Sequence, residues 1–428
     1  MNIDFIKNKF YLPLFFFPLI HIIGIAVVEI YIIFYLIFLL LHFKKNEFLE
    51  NKILIILFLF SIYLGLNAFL QIPSSLKYSS IFHFRYVFFA IAVCLFFENF
   101  FYDKSNKKLL LFLFFMVIII LIFDSFFQFF VGENIFGQKL FKYRVSSFFG
   151  DDLILGGFLI RLLPIIFWYL FYIKIDINQN KILFTTFFSI YFFTIYLSGE
   201  RTSFALLIIF IFLSLIFISN LRKVLTGSSI IFFIFILLNA FFNFGKTDIT
   251  HRMFAKTYKQ VFEQTIIQKN EVKKEVDNFQ STIESLKIFS SDHQGHLIVA
   301  KELFKESPIY GVGPKGFRHY CRLVDYAPEK GVCSTHSHNI LAQTLSELGL
   351  IGFIFYLTFL IFLIKNSIIV AKKNINNFYS NSFLIISIGL LIHLFPFLPS
   401  GNFFNNWISS FIYFKVGLLL FSYKKLFS

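Results

Sequence analysis

His338 and Arg201 are the residues whose types and surroundings best suit chemistry. His338 sits in the string Ser334-Thr-His-Ser-His-Asn339, just ahead of an apolar run with Leu341, Leu345 and Leu348 at helical spacing. A histidine at a helix N-terminus has its cationic form disfavoured by the macrodipole, which leaves a neutral imidazole suited to act as a general base. Thr335 or Ser337 is placed to cap that helix. The plainer possibility is a histidine that packs at an interface. Glu347, nine residues after His338, falls about 180° around the helix, so a structural role suits it better than a dyad. Arg201 lies in Leu197-Ser-Gly-Glu-Arg-Thr-Ser203, a turn joining two apolar runs. Its guanidinium offers a fixed fork of donors matching phosphate oxygens; the alternative is an interfacial anchor.

Other patterns carry less. His336 and His338 do not supply the three or four convergent ligands of a zinc site, and neither HxxxH nor HExxH spacing occurs, so no metal is expected. Gly311-Val-Gly-Pro-Lys-Gly316 fits GxGxxG by letters but contains Pro and lacks a βαβ context. Gly311 and Gly313 are better read as a tight turn that sets Phe317 and Arg318 against the membrane surface. Cys321 and Cys333 stand twelve positions apart in the same region, whereas Cys94 lies in an apolar run. In an oxidising compartment the first two are expected to pair.

These residues need a scaffold, and the composition says which. The 428 residues are 57% apolar and 21% aromatic, with a net charge of +15, and the mean hydropathy is +0.75. That excludes an ordinary soluble domain. The basic excess does not indicate nucleic acid, because basic residues alternate with long uncharged runs that suit a bilayer. A hydrocarbon core needs about 20 apolar residues per helix. The run 10–43 divides into two short helices around Gly24 to Glu29. Further spans are expected at 52–70, 78–97, 109–131, 153–173, 182–198, 202–219, 226–244, 350–364, 382–398 and 404–422, about twelve in all.

Segments on one side of these spans hold 17 basic and 6 acidic residues, and the opposite short loops hold 5 of each. The positive-inside rule therefore places both termini in the cytoplasm. Lys7 and Lys9 before an apolar run resemble a signal peptide. That run is too long and lacks a small-residue cleavage site, so it is expected to stay as the first helix. The segment 245–338 differs, with 14 basic and 11 acidic residues and six of the ten histidines. Val272, Val276, Phe279, Ile283 and Leu286 predict an amphipathic helix there, followed by a shorter one over 297–304 that stops at Pro308. The reading is an all-α polytopic membrane protein with one large periplasmic helical loop. Residues 1–244 carry transmembrane helices 1–9, 245–338 the loop, and 339–428 transmembrane helices 10–12. Within spans, Arg85, Asp124, Arg161 and Lys415 mark function or helix-to-helix pairing. A transporter or lipid-carrier flippase would use such residues as a path, but repeated halves and broken helices are not evident.

Together these pieces resemble the O-antigen ligase and polymerase family of bacterial envelope enzymes. The resemblance covers most of the chain. It rests on Ser198 to Thr202, on Pro308 to Phe317, and above all on His338-Asn339 followed by Leu345, Glu347, Gly349 and Gly352. Arg144-Val-Ser-Ser-Phe-Phe-Gly-Asp-Asp152 and Asp124-x-x-x-Gln128 also resemble one branch, as do the two loop cysteines. The resemblance implies an inverting, metal-independent glycosyl transfer without cofactor at the periplasmic face of the inner membrane. The donor would be an undecaprenyl-pyrophosphate-linked glycan and the acceptor the lipid A core or another glycan, with membrane lipid around both. Arg201 would bind pyrophosphate and His338 would position or deprotonate the acceptor hydroxyl, with Arg144 and Asn339 as further substrate-binding residues. The family commonly has another Arg near 291–296, where this chain has His293 and His296. Either histidine, or Arg318, is a candidate for the second cation.

Overall fold

The structure, a computed structural model, describes residues 16–42, 52–71, 80–100, 107–258, 291–321, 333–373 and 377–427. The amphipathic helix expected over 272–286 lies outside them. Among the described residues the regular structure is helical, and the only β pairings are two isolated bridges, Glu133 with Lys139 and Phe141 with Arg144. The longer helices are α1 (Phe17–Ile23), α2 (Ile25–His42), α3 (Lys52–Gln71), α4 (Arg85–Phe100), α5 (Lys107–Val131), α6 (Leu155–Tyr172), α7 (Lys181–Leu197), α8 (Arg201–Phe217) and α9 (Arg222–Phe242). They continue with α10 (Ser291–Glu306), α11 (Ile340–Lys372), α12 (Phe378–His393) and α13 (Asn406–Phe427). Six helices among the described residues are long and apolar enough to cross a membrane, and three shorter ones (α7, α8 and α12) are apolar as well. The protein is a multi-pass membrane protein.

Apolar side chains face outward as well as inward. Leu40, Ile182 and Phe241 are each more than 80% exposed, which only a lipid environment tolerates for such residues in helices of this kind. Between helices, close approach replaces hydrophobic drive. A Cβ on Gly417 of α13 would stand 2.6 Å from the Ala90 carbonyl oxygen of α4. The core holds Trp168, Tyr169 and Tyr191 fully buried, and Phe167 stacks on Phe188 at 4.4 Å between α6 and α7.

The residues expected to be costly inside the spans are paired. Arg85 holds Glu29 in a two-bond fork at 2.7 and 3.1 Å. Asp124 accepts the Ile135 amide at 2.8 Å and the Ser147 hydroxyl. Arg161 donates to His393 at 2.8 Å, and Lys415 lies 2.9 Å from the other ring nitrogen of that histidine.

One expectation about local structure is corrected and another gains a break. The helix expected over 297–304 is α10, which starts at Ser291 and ends at Glu306, just short of Pro308. Helix α11 carries the apolar run from Leu341 into the span expected from residue 350. It starts at Ile340 and passes through a break at Gly349, where φ is 63° and ψ −163°. The backbone groups freed there bond to the loop 308–313. Leu350 N donates to Pro308 O at 2.8 Å, Val312 N to Ser346 O at 2.9 Å, and Gly313 N to Glu347 O at 2.9 Å. Non-helical backbone within a membrane helix bundle needs this kind of internal satisfaction.

Candidate active site

Loops from one end of the bundle meet around a cavity of ≈ 1130 Å³. Its wall includes Arg144, Glu200, Arg201, Arg252, His293, His336 and His338 on the polar side, and Ile22, Ile25 and Leu206 on the apolar side. Arg161, His393 and Lys415 also line it. The break between α1 and α2 at Gly24 forms part of the wall, and the flanking Ile23 is 61% exposed. One cavity thus joins clustered cations to a greasy, outward-facing edge.

Each polar side chain is held by local structure. Helix α7 ends at Leu197 and α8 begins at Arg201, so Ser198 to Glu200 form the turn between them. Glu200 stands at the start of α8 and reaches across to α6. Its two carboxylate oxygens accept Gly156 N at 2.8 Å and Gly157 N at 2.9 Å, which caps α6, and Ser203 Oγ donates to it at 2.9 Å. Burial raises the Glu200 pKa, against the lowering effect of Arg144. Arg144 Nε donates to Ser198 O at 3.0 Å, and its Nη2 lies 3.6 Å from Glu200 Oε1. Burial lowers the Arg144 pKa to about 10, opposed by Glu200 and assisted by Arg252 and Arg201. The guanidinium keeps its charge at neutral pH. Its loop is shaped by the other motif residues: Gln128 Oε1 accepts the amides of Ser146 and Ser147 at 2.9 and 2.8 Å.

On the opposite wall, His338 stands at a φ of 54°, one residue before the cap of α11. The cap is Asn339, whose Oδ1 accepts Ala342 N at 3.0 Å. This corrects the expectation of Thr335 or Ser337. The Asn339 Nδ2 donates to Pro396 O at 2.7 Å, so its amide braces the turn. The loop after α12 completes the brace, with Ser400 N donating to His338 O at 2.8 Å. His336 Nε2 lies 3.1 Å from Ser400 O and its Nδ1 the same distance from Thr335 Oγ1, which makes Nε2 the protonated nitrogen.

Four histidines gather here. The His338 ring lies 4.0 Å from that of His336, 4.9 Å from His296 and 5.4 Å from His293. Burial, then the neighbouring histidines, lower the His338 pKa to about 3; burial first lowers His336 to about 4. Neutral imidazole is the expected state, although burial and not the helix dipole is the main cause. His293 lines the cavity whereas His296 is buried behind His338.

Other expected residues lie elsewhere. Arg318 is outside the described lining of the cavity. Phe317 is not at a membrane surface: it is fully buried with Val299, Leu303 and Val312. Glu347 is buried and accepts the Phe317 amide at 3.0 Å and Gln343 Nε2 at 2.8 Å, a structural role. Cys321 and Cys333 form a disulfide, with Cα atoms 5.5 Å apart. Gln343 and Asn402, joined at 2.7 Å, went unread because isolated amides carry no sequence signature. Arg252 was missed for a similar reason: it lies six residues beyond Lys246 in a segment of mixed charge.

Residues 186–357 match the family model described as O-antigen ligase. This stretch is an O-antigen ligase family domain. It contains Arg201, Arg252, His293 and His338, while Arg144, Arg161 and His393 reach the same cavity from outside it. No curated protein matches the chain. The match supports glycosyl transfer in O-antigen assembly, and the apolar helices fit a multi-pass membrane protein.

Proposed function

We propose that the chain transfers a glycan from undecaprenyl pyrophosphate to the lipid A core at the periplasmic face of the bacterial inner membrane. The observation that carries this reading is the single cavity lined by Arg201 and His338 that also has an apolar edge at the α1–α2 break. A lipid-linked pyrophosphate has the matching character: an anionic head on a hydrocarbon chain. In this reading the acceptor hydroxyl oxygen attacks the anomeric carbon from the side opposite the pyrophosphate, inverting it. The bond from that carbon to the pyrophosphate oxygen breaks, its electron pair stays with the phosphate, and the hydroxyl proton passes to the neutral His338 ring. Arg201 and Arg144 stabilise the charge that gathers on the leaving group, a task performed elsewhere by a divalent metal. His293 and His296 set the position of His338, and Asn339 holds its backbone.

The reading includes about twelve spans, cytoplasmic termini, and the division into 1–244, 245–338 and 339–428 with the middle part in the periplasm. The charge distribution between the two sides supports that orientation. A ligase is favoured over an O-antigen or exopolysaccharide polymerase by the single large external segment, the loop at 132–152 being short. Arg201→Ala and His338→Ala should each abolish glycan attachment while protein level and membrane insertion stay normal; full activity in both overturns the site. In a gene-deletion strain, loss of all capped lipid on a polysaccharide gel indicates a ligase, and capping by single repeats a polymerase.

A further inference from the structure

Arg161, His393 and Lys415, from α6, α12 and α13, form a hydrogen-bonded row on the cavity wall. Arg161 Nε donates to His393 Nε2 at 2.8 Å, and its Nη1 donates to Gly157 O at 2.8 Å. Lys415 Nζ lies 2.9 Å from His393 Nδ1 and donates to Gly389 O at 3.0 Å. A guanidinium only donates, so His393 Nε2 accepts and the neutral ring carries its proton on Nδ1. That N–H meets Lys415, which must therefore accept it. An ammonium has no lone pair to accept with, so Lys415 is a free amine and the row holds one positive charge, on Arg161. Lys415 is fully buried, and burial of an unpaired ammonium inside a helix bundle is costly, which favours the same state.

Nothing around the row offsets an ammonium there. The cavity's carboxylates are Asp152 and Glu200, and among the described residues neither pairs with Arg161 or Lys415. The other titratable groups on the wall are Arg144, Arg201, Arg252 and four histidines, among them His21 and His338. Helices α2 and α4, packed on α13, bring Glu29 and Arg85, which bind each other. Ser400 bonds both His336 and His338, and a Cβ on the next residue, Gly401, would stand 3.8 Å from Arg161 Nη2. One loop thus separates the histidine cluster from the row.

We propose that Lys415 is the final proton acceptor of the transfer reaction, held in its basic form by Arg161 acting through His393. The inference rests on the proposed glycosyl transfer. There the acceptor oxygen forms the new bond to the anomeric carbon, the pyrophosphate leaves with the electron pair of the broken one, and the hydroxyl proton goes to His338. Burial holds the His338 pKa at about 3, so that ring does not keep the proton at neutral pH. The proton crosses the shared cavity to the Lys415 lone pair. As an ammonium Lys415 no longer accepts from His393 Nδ1, and that bond stays broken until the proton is lost.

Nitrogen resonances of the full chain, labelled with isotopic lysine in detergent, read the charge directly. The signal that Lys415→Met removes should have the shift of a neutral amine; an ammonium shift overturns the proposal. Arg161→Gln, whose amide oxygen can accept from Nε2, should move that signal to the ammonium position, and an unmoved signal overturns the control by Arg161. Lys415→Met should keep its thermal stability and slow glycan transfer about tenfold or more, and an unchanged rate overturns the proposal. Ethylamine added to Lys415→Ala should restore part of the rate in proportion to its free-base fraction as pH rises, which a merely structural role would not give. If Arg201→Ala and His338→Ala both transfer glycan normally, the functional reading fails instead, while the lysine signal still reports the state of the row.

Discussion

The Glu347 carboxylate accepts the Phe317 amide hydrogen at 3.0 Å, tying the kinked start of α11 to the turn that follows Gly316. Its second oxygen accepts Gln343 Nε2, and Gln343 in turn accepts the Phe403 amide at 3.0 Å. Glu347 and Gln343, both buried, thus couple three segments of the chain. Glu347→Ala would leave the buried Phe317 amide without an acceptor and remove one of the two hydrogen bonds that Gln343 Nε2 donates, at about 1–3 kcal/mol each. Thermal unfolding in detergent should show a loss of about 2–4 kcal/mol, with activity failing at a lower temperature; an unchanged midpoint would contradict the role.

A backbone crossing makes the next prediction. A Cβ on Gly311 would lie 2.4 Å from the Glu347 carbonyl carbon, and one on Gly349 would lie 2.3 Å from Ile309 O. Both residues also have positive φ. Alanine at either position should cost more than about 1 kcal/mol. Gly65→Ala is the control, since no atom lies within 4 Å of its added Cβ; it should be neutral or stabilising, by up to about 1 kcal/mol.

The histidine cluster sets a pH dependence. His338 and His336 titrate at 6.5 when unperturbed and at about 3 and about 4 in the folded chain. As the pH falls through 6.5 the unfolded chain binds protons that the folded chain refuses, so folding is progressively disfavoured down to those lower values. Stability should fall between about pH 6.5 and pH 4, and His336→Gln should flatten that slope. Within the stable range, glycan transfer should not show the midpoint near 6.5 of an ordinary histidine base; such a midpoint would refute the neutral, buried state.

The Cys321–Cys333 bridge packs against the cluster that holds Phe317. Cys333→Ser should lower stability by about 2–3 kcal/mol. In oxidised protein neither loop thiol should alkylate before reduction, and free labelling of both would contradict the bridge. Cys94, a buried free cysteine, should label only on unfolding.

Much of the architecture is legible along the chain because a bilayer imposes a length and a polarity on every span. The breaks at Gly24 and at 198–200 are visible for that reason. Arg201 and His338 are legible because each sits in a local motif beside an apolar run. What the sequence by itself determined, then, is a membrane helix bundle, its motif residues and the pairing of Cys321 with Cys333. Only the tertiary structure decided that Arg144, Glu200, Arg201 and Arg252 line one cavity, that four histidines from two segments form one cluster, and that Phe317 points inward. The physical reason is separation: Arg144 and Arg252 stand 108 positions apart and meet only because Gly199 lets both stems pack on the same turn. Periodicity reports which face of a helix is apolar, but it carries no information about which loops share an end of the bundle.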